Sequence, residues 1–208
     1  MVKTEMQEVT YSHPFSAVTA SLWSKYDDHK NVKEVDVLSR HVDAEGRLHS
    51  TRLLTMRGNI PSFIKPFVPT RNFYLLEEVV VDADAQSMQV HTENINMRGV
   101  LEASSESRYS PVHYAHDATL YKIAIKVQAF PNRAKAGGWL SGKLESWAAG
   151  KLLGNVSKGT KFIDAFCRQQ VSLCEGRDGK GDGGDGKDTN VLWEQAKKSS
   201  GARRLWGH

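Results

Sequence analysis

Lys151, Asn155 and Lys158 interrupt the apolar stripe of a long helical segment, and two ammonium groups and an amide at that spacing are chemistry suited to an anion. At roughly 100° per residue, Leu140, Leu144, Trp147, Lys151, Asn155, Lys158, Phe162 and Phe166 fall within about a third of a helix circumference. Two cations therefore lie on the face where the rest of the stripe points inward. An ammonium group taken out of water without a partner costs several kcal/mol. A fixed acid, an escape of the amine to solvent along its alkyl stem, or a bound anion would each meet that cost. An anion with an apolar body would match both halves of the face.

The elements that must position these groups follow from pattern and turn chemistry. Phe15, Val18, Leu22 and Tyr26 sit near helical spacing behind Pro14, which predicts a short amphipathic helix over 14–26. Thr4–Thr10 reads as a leading strand. Six further β-type runs follow: Val35–Val42, Arg47–Met56, Phe73–Val81, Met88–Ile95, Val100–Tyr109 and Ala118–Ala129, with turns at Asp43–Gly46 and Asp82–Ala85. Strands joined by short turns imply an antiparallel meander. With a long helix over about 135–170 laid across it, the expected fold is α+β: a curved antiparallel sheet of about seven strands forming a cup, a short N-terminal helix, and the long helix over its mouth.

Between two of these strands, Gly58–Pro69 reads GNIPSFIKPFVP, with Ile60, Phe63, Ile64 and Phe67 at i, i+3, i+4 and i+7 among three prolines. Such a segment is either a helical turn plugging one end of the cup or an apolar lid that touches membrane. Arg52 shares strand parity with Leu48, Ser50, Leu54 and Met56, which puts a guanidinium on a mostly apolar face. Lys25, near the end of the first helix, reads by default as a cation complementing the helix dipole and facing water.

The 208 residues carry 28 basic and 24 acidic side chains, enough chain for one substantial core with a mildly positive balance. The excess is local, because 133–168 holds Arg133, Lys135, Lys143, Lys151, Lys158, Lys161 and Arg168 against Glu145 and Asp164, and it favours an anionic partner there. No apolar run reaches the roughly 18 residues needed to span a bilayer, so membrane contact is expected to be peripheral. The N-terminus shows neither a signal-peptide core nor an Arg-rich, acid-poor transit sequence. Cys167 and Cys174 match neither a redox CxxC pair nor a zinc half-site, and no metal or cofactor is expected.

From Glu175 to Asp188 the chain reads EGRDGKGDGGDGKD, which has no apolar residue to offset its ordering entropy. The expected organisation is a folded domain over 1–172 and a Gly-rich charged tail over 173–208. Gly181–Lys187 imitates part of a P-loop, but Asp188 replaces the Ser or Thr and no strand precedes it. Asp178, Asp182 and Gly183 imitate a calcium loop, but Lys180 and Thr189 replace an oxygen ligand and the bidentate Glu. His41, Asp43 and His49 flank a turn, and no HExxH, nucleophile elbow or paired-carboxylate pattern is present, so an enzyme is not expected.

Several runs together resemble one family. These are Tyr11-Ser12-His13-Pro14-Phe15, Trp23-Ser24-Lys25-Tyr26, VDVLSRHVDAEGRLHSTRLL over 35–54, Ile60-Pro61-Ser62-Phe63, Asn94-Ile95-Asn96 and Asn155-Val156-Ser157-Lys158-Gly159. In this order, over about 1–172, they look like the PRELI-like proteins, also called the Ups and Slowmo group. The resemblance implies a phospholipid transfer protein of the mitochondrial intermembrane space that carries phosphatidic acid or phosphatidylserine between membranes. It implies transient membrane contact, a small heterodimeric partner of the twin CX9C type, and no nucleic acid.

The family's headgroup residues of the long helix fall on Lys151, Asn155 and Lys158, its strand arginine on Arg52, and a basic residue of the first helix on Lys25. Ile60, Phe63, Ile64 and Phe67 fall in its lid. Phosphatidic acid carriers of this family have a lysine just before the lid, where this chain has Met56 followed by Arg57, and the Leu-His-Ser-x-Arg-Leu-Leu run looks closer to the phosphatidylserine-transferring Slowmo type. The rival expectation is a peripheral membrane-binding or scaffold module that recognises anionic surfaces without extracting lipid.

Overall fold

The computed structural model describes residues 2–27, 29–58, 60–68, 70–113, 115–131 and 138–175. Seven strands form one antiparallel sheet: β1 Val2–Tyr11, β2 Val32–Val42, β3 Leu48–Arg57, β4 Asn72–Asp82, β5 Ser87–Asn94, β6 Leu101–Val112 and β7 Ala115–Ala129. Helix α1, Phe15–Ser24, follows β1, a 3-10 helix Ser62–Phe67 separates β3 from β4, and α2, Gly138–Glu175, follows β7. The fold is the α+β class expected from the sequence, a curved antiparallel sheet gripped by a long C-terminal helix. The predicted start of α2 at Lys135 and the tail from 176, with both imitated motifs, lie outside the described residues. No helix of the described residues is long and apolar enough to cross a membrane, which says nothing of strands.

Strands β2 to β7 form a plain meander, and β1 pairs with β7 at the far edge, from Val2 opposite Gln128 to Tyr11 opposite Thr119. The chain must therefore pass from one edge of the sheet to the other between β1 and β2. α1 makes that crossing over the inner face of β6 and β7 and packs on α2. Its start is pinned: the His13 carbonyl accepts from Thr119 Oγ1 at 2.8 Å, and His13 Nε2 lies 2.8 Å from Asp164 Oδ1 on α2.

Period-two burial marks the inner face. Tyr121, Ile123, Ile125, Val127 and Ala129 of β7 are buried, and the first four join Val79, Val81, Met88, Val90 and Tyr109 of the other strands. Phe15, Val18, Leu22 and Trp23 of α1 close this core with Ala148, Ala149, Ile163 and Cys167 of α2. Cys167 is a free thiol there, and the side chain of Cys174 lies outside the described residues.

The turns carry their own chemistry. Asp43 Oδ1 accepts the main-chain N–H groups of Glu45 and Arg47 at 3.1 and 2.8 Å, and Gly46 takes φ +81, a conformation glycine enters without steric cost. Asn94 and Asn96 splint the β5–β6 connection. The Asn94 amide donates to the carbonyls of Asn96 and Leu101 at 2.7 and 2.9 Å and accepts from Ala103 N–H at 2.7 Å. Asn96 bonds the main chain of Tyr74 and Asn72 at 3.0 and 2.9 Å.

Candidate functional site

β3 presents Leu48, Ser50, Arg52 and Leu54 to the interior, as strand parity predicts, so Arg52 is 2% exposed. Its cross-strand partner on β4 is Glu77, 1% exposed, on the same face as Val79 and Val81. Both Nε and Nη2 of Arg52 donate to Glu77 Oε1, the former at 2.9 Å, and Tyr26 Oη donates to Oε2 at 2.7 Å. Burial opposes ionisation of Glu77. The neighbouring charges of Arg52 and Lys25, with hydrogen bonds from Tyr26 and Arg52, overcome that and hold its carboxyl below the ordinary value.

Aromatic faces complete the cluster. The Arg52 guanidinium lies 5.0 Å from the Trp23 ring centroid and 5.5 Å from that of Tyr26, while Arg40 covers Trp23 at 4.6 Å. Lys25 is the residue after α1, yet it is half-buried, with its Nζ 5.1 Å from the Tyr26 centroid and its Cε under α2 at Gly159. This differs from the default expectation of a solvent-facing dipole cation. Desolvation pushes its pKa down and Glu77 pulls it up, while Arg52 adds to the downward push.

Lys158 reaches the edge of the same group. Desolvation lowers the His29 pKa, and Lys158 and Lys25 lower it further, which puts both lysines in electrostatic reach of one imidazole. Lys25, Arg40 and Arg52 thus gather on the Trp23 and Tyr26 rings, Glu77 is bonded to Arg52 and Tyr26 among them, and Lys158 stands at the margin beside His29.

α2 is rotated from the sequence expectation. Its buried residues are Leu144, Glu145, Ala148, Ala149, Ile163 and Cys167, so the inward face lies about one residue, roughly 100°, from the Lys151–Asn155–Lys158 stripe. Lys151, Asn155 and Lys158 are exposed. Small side chains explain the turn, because Ala148 and Ala149 let the helix backbone approach the sheet where Trp147 would hold it away. The cost foreseen for inward ammonium groups is therefore met by solvent. Among the described residues Lys151 and Asn155 have no interaction with the Arg52 cluster, whereas Lys158 shares with Lys25 an electrostatic effect on His29.

The Pro-rich segment is docked. Ile60 and Ile64 are buried with Ala129, Phe130 and Leu144, and Phe63, Leu140 and Trp147 pack around them. Phe67 is 40% exposed and meets Phe130 edge-on with 5.7 Å between centroids. Phe130 takes φ +47, rare for a bulky residue, and its N–H donates to the Val100 carbonyl at 2.9 Å. Lys143 of α2 lies over Phe63 at 4.8 Å and over Trp139 at 5.0 Å. The segment is thus docked as a plug, with Phe67 at its exposed edge.

Sequence reasoning missed Glu77, Arg40, Tyr26 and His29. Glu77 was discoverable, because pairing β3 with β4 across the intervening segment sets Arg52 opposite Glu77. The His49–Asp43 pair, 2.7 Å apart with His41 stacked at 5.1 Å, belongs to the β2–β3 turn that Asp43 organises.

The match to the PRELI-like family covers residues 16–172. The mitochondrial protein UPS1 of Saccharomyces cerevisiae is 29% identical over 160 residues, 76% of this chain and 87% of that protein. The mitochondrial protein UPS2 of the same yeast is 30% identical over 161 residues, 74% and 68% of the two chains. The slowmo homolog of Dictyostelium discoideum is 25% identical over 160 residues, 74% and 67% of the two chains. Among solved structures, TTHA0849 from Thermus thermophilus superposes with a TM-score of 0.50 at 12% identity, covering 81% of this chain and 99% of its own. Norcoclaurine synthase from Thalictrum gives 0.50 at 10% identity, covering 82% and 97%. The structures share the fold alone; with the family match spanning most of the chain, and relatives aligned over three quarters of it, the protein belongs to the PRELI-like family.

Proposed function

We propose that the protein is a non-enzymatic carrier that moves an anionic phospholipid between membranes of the mitochondrial intermembrane space. The carrying observation is charge imbalance among aromatic rings: Lys25, Arg40 and Arg52 share the Trp23 and Tyr26 rings with one carboxylate, Glu77, bonded to Arg52 and Tyr26. A lipid phosphate supplies the missing negative charge, and the cup replaces the bilayer around the acyl chains. Lys25 and Arg52 act at depth, with Lys151, Asn155 and Lys158 on the exposed face of α2 as the outer headgroup contacts. Family membership and two relatives named mitochondrial support a mitochondrial lipid-transfer role, within which the intermembrane space is the proposed compartment. A small twin CX9C protein is the proposed heterodimeric partner, shielding apolar rim during aqueous transit.

Ile60, Phe63, Ile64 and Phe67 form the proposed lid, which leaves its seat on Phe130 and α2 at a membrane surface. Met56 stands where phosphatidic acid carriers of the resemblance have lysine, and this favours phosphatidylserine as cargo. One observation favours the rival reading of a peripheral membrane module: Lys151, Asn155 and Lys158 are exposed and could meet a lipid surface without any lipid entering the cup. Native mass spectrometry of protein purified from cells separates the two, since a carrier retains one bound phospholipid and a peripheral module none. Transfer of phosphatidylserine and phosphatidic acid between liposomes, with and without Met56→Lys, then assigns the headgroup: the substitution should raise phosphatidic acid transfer relative to phosphatidylserine.

A further inference from the structure

A second basic cluster flanks the Pro-rich segment, with the buried Ile60 at its floor. Arg57 at the end of β3, Lys65 in the 3-10 helix and Arg71 before β4 line an open cleft of about 510 Å³, together with Asn31, Thr70 and Val68. All three cations are exposed, no acidic residue lines the cleft, and none of the three is in an ion pair among the described residues. Main-chain bonds fix the walls: Arg57 N–H donates to the Asn31 carbonyl at 2.7 Å, and Gly58 N–H to the Arg71 carbonyl at 3.0 Å. The two arginines thus stand on the two stems of the Pro-rich segment, with Lys65 between them in sequence.

Two guanidinium groups and an ammonium lining one cleft are the donor types that bind the oxygens of a phosphate. The cleft differs from the Arg52 cluster in two respects: it opens to water, and it contains no counterpart of Glu77. Beside it, on the same short helix as Lys65, stands the part-exposed ring of Phe67. An aromatic ring next to a basic site is the pattern of a membrane interface, where the ring enters the headgroup region and the cations meet phosphates. A soluble phosphate would use the cations alone, whereas a lipid surface would also meet the exposed edge of Phe67.

We infer that this cleft binds the headgroup phosphate of a phospholipid still embedded in the membrane, a docking site separate from the one that holds the transferred lipid. The inference rests on the anionic-lipid reading above and adds a second lipid contact to it. Because the cleft spans both stems of the Pro-rich segment, a headgroup seated there holds that segment against the bilayer.

The test uses the full-length chain and phosphatidylcholine vesicles containing a minority of phosphatidic acid. Each cation near an anionic surface contributes roughly a factor of five in association, so Arg57→Gln with Arg71→Gln should weaken co-sedimentation about thirty-fold. Lys122→Gln with Lys126→Gln, which removes the same charge from the outer face of β7, should change it by about twofold or less, as expected of distant screened charges. Lipid retained on purification, read by native mass spectrometry, should remain at the wild-type level in the arginine variant.

Unchanged co-sedimentation of the arginine variant would overturn the inference, as would equal weakening in the lysine control. Loss of the retained lipid in the arginine variant would assign the cleft to the enclosed site and overturn it too. Inorganic phosphate that, in a titration without vesicles, binds the wild type and not the variant, and that releases the wild type from vesicles, would assign the cleft to a soluble anion. If no variant retains lipid but the association difference stands, the carrier reading fails and the docking site survives.

Discussion

Arg52 and Glu77 face each other across the β3–β4 ladder and form a buried ion pair with the guanidinium against the rings of Trp23 and Tyr26. The pair is costly to break, because either partner alone leaves an uncompensated buried charge. Lys25 acts on the same carboxylate, so Glu77 is the shared anion of both cations.

Glu77→Gln should destabilise the protein by about 3–5 kcal/mol at neutral pH, read as a shift in urea midpoint. Glu77 has its carboxyl held below the ordinary value of 4.5, so its contribution is present above that value and is lost as pH falls through the lower folded-state value. Wild type and variant should therefore converge in acid. Equal midpoints at neutral pH would sink the assignment, and the double replacement Arg52→Met with Glu77→Leu should cost less than Glu77→Gln alone.

Lys25 presents the opposite case. Its charge is disfavoured by burial and by Arg52, so Lys25→Met should leave stability within about 1 kcal/mol of wild type or raise it. Under the carrier reading, liposome-to-liposome transfer should nevertheless fall at least as far as with Lys151→Glu, a change at an exposed position that should hold the thermal midpoint within a few degrees. A Lys25→Met protein that transfers lipid at the wild-type rate would remove Lys25 from the headgroup site.

The Pro-rich segment divides into a buried anchor and an exposed ring. Ile64 is buried against Phe130 and Leu144, so Ile64→Ala should cost about 2–4 kcal/mol in thermal or urea unfolding. Phe67→Ser, at a part-exposed ring, should cost less in stability and more in vesicle association. Equal co-sedimentation of Phe67→Ser and wild type at matched salt would count against membrane contact there.

Gly58 carries a tight steric constraint. A Cβ at this position would lie 2.0 Å from Phe73 Cε2, so Gly58→Ala must displace the ring that packs under the segment. A loss of about 1–3 kcal/mol is expected, with partial recovery in Gly58→Ala combined with Phe73→Leu. Additive losses in that double variant would show that the ring is not the obstacle.

Much of this protein was legible in the residues alone. Period-two runs and turn signals identified seven strands, the Asp43–Gly46 turn and a long final helix, because those depend on local backbone preference and side-chain parity. Parity also turned Arg52 inward, and Ile60, Phe63, Ile64 and Phe67 identified a segment with an apolar face. Tertiary structure decided what local pattern cannot encode. It placed β1 beside β7, it set Arg52 opposite Glu77 across an intervening segment, and it rolled α2 onto Ala148 and Ala149. The last of these moved Lys151, Asn155 and Lys158 from the inner face to the surface, because a helix seats by how closely its backbone can approach the sheet, whereas a sequence stripe records only where its largest apolar side chains lie.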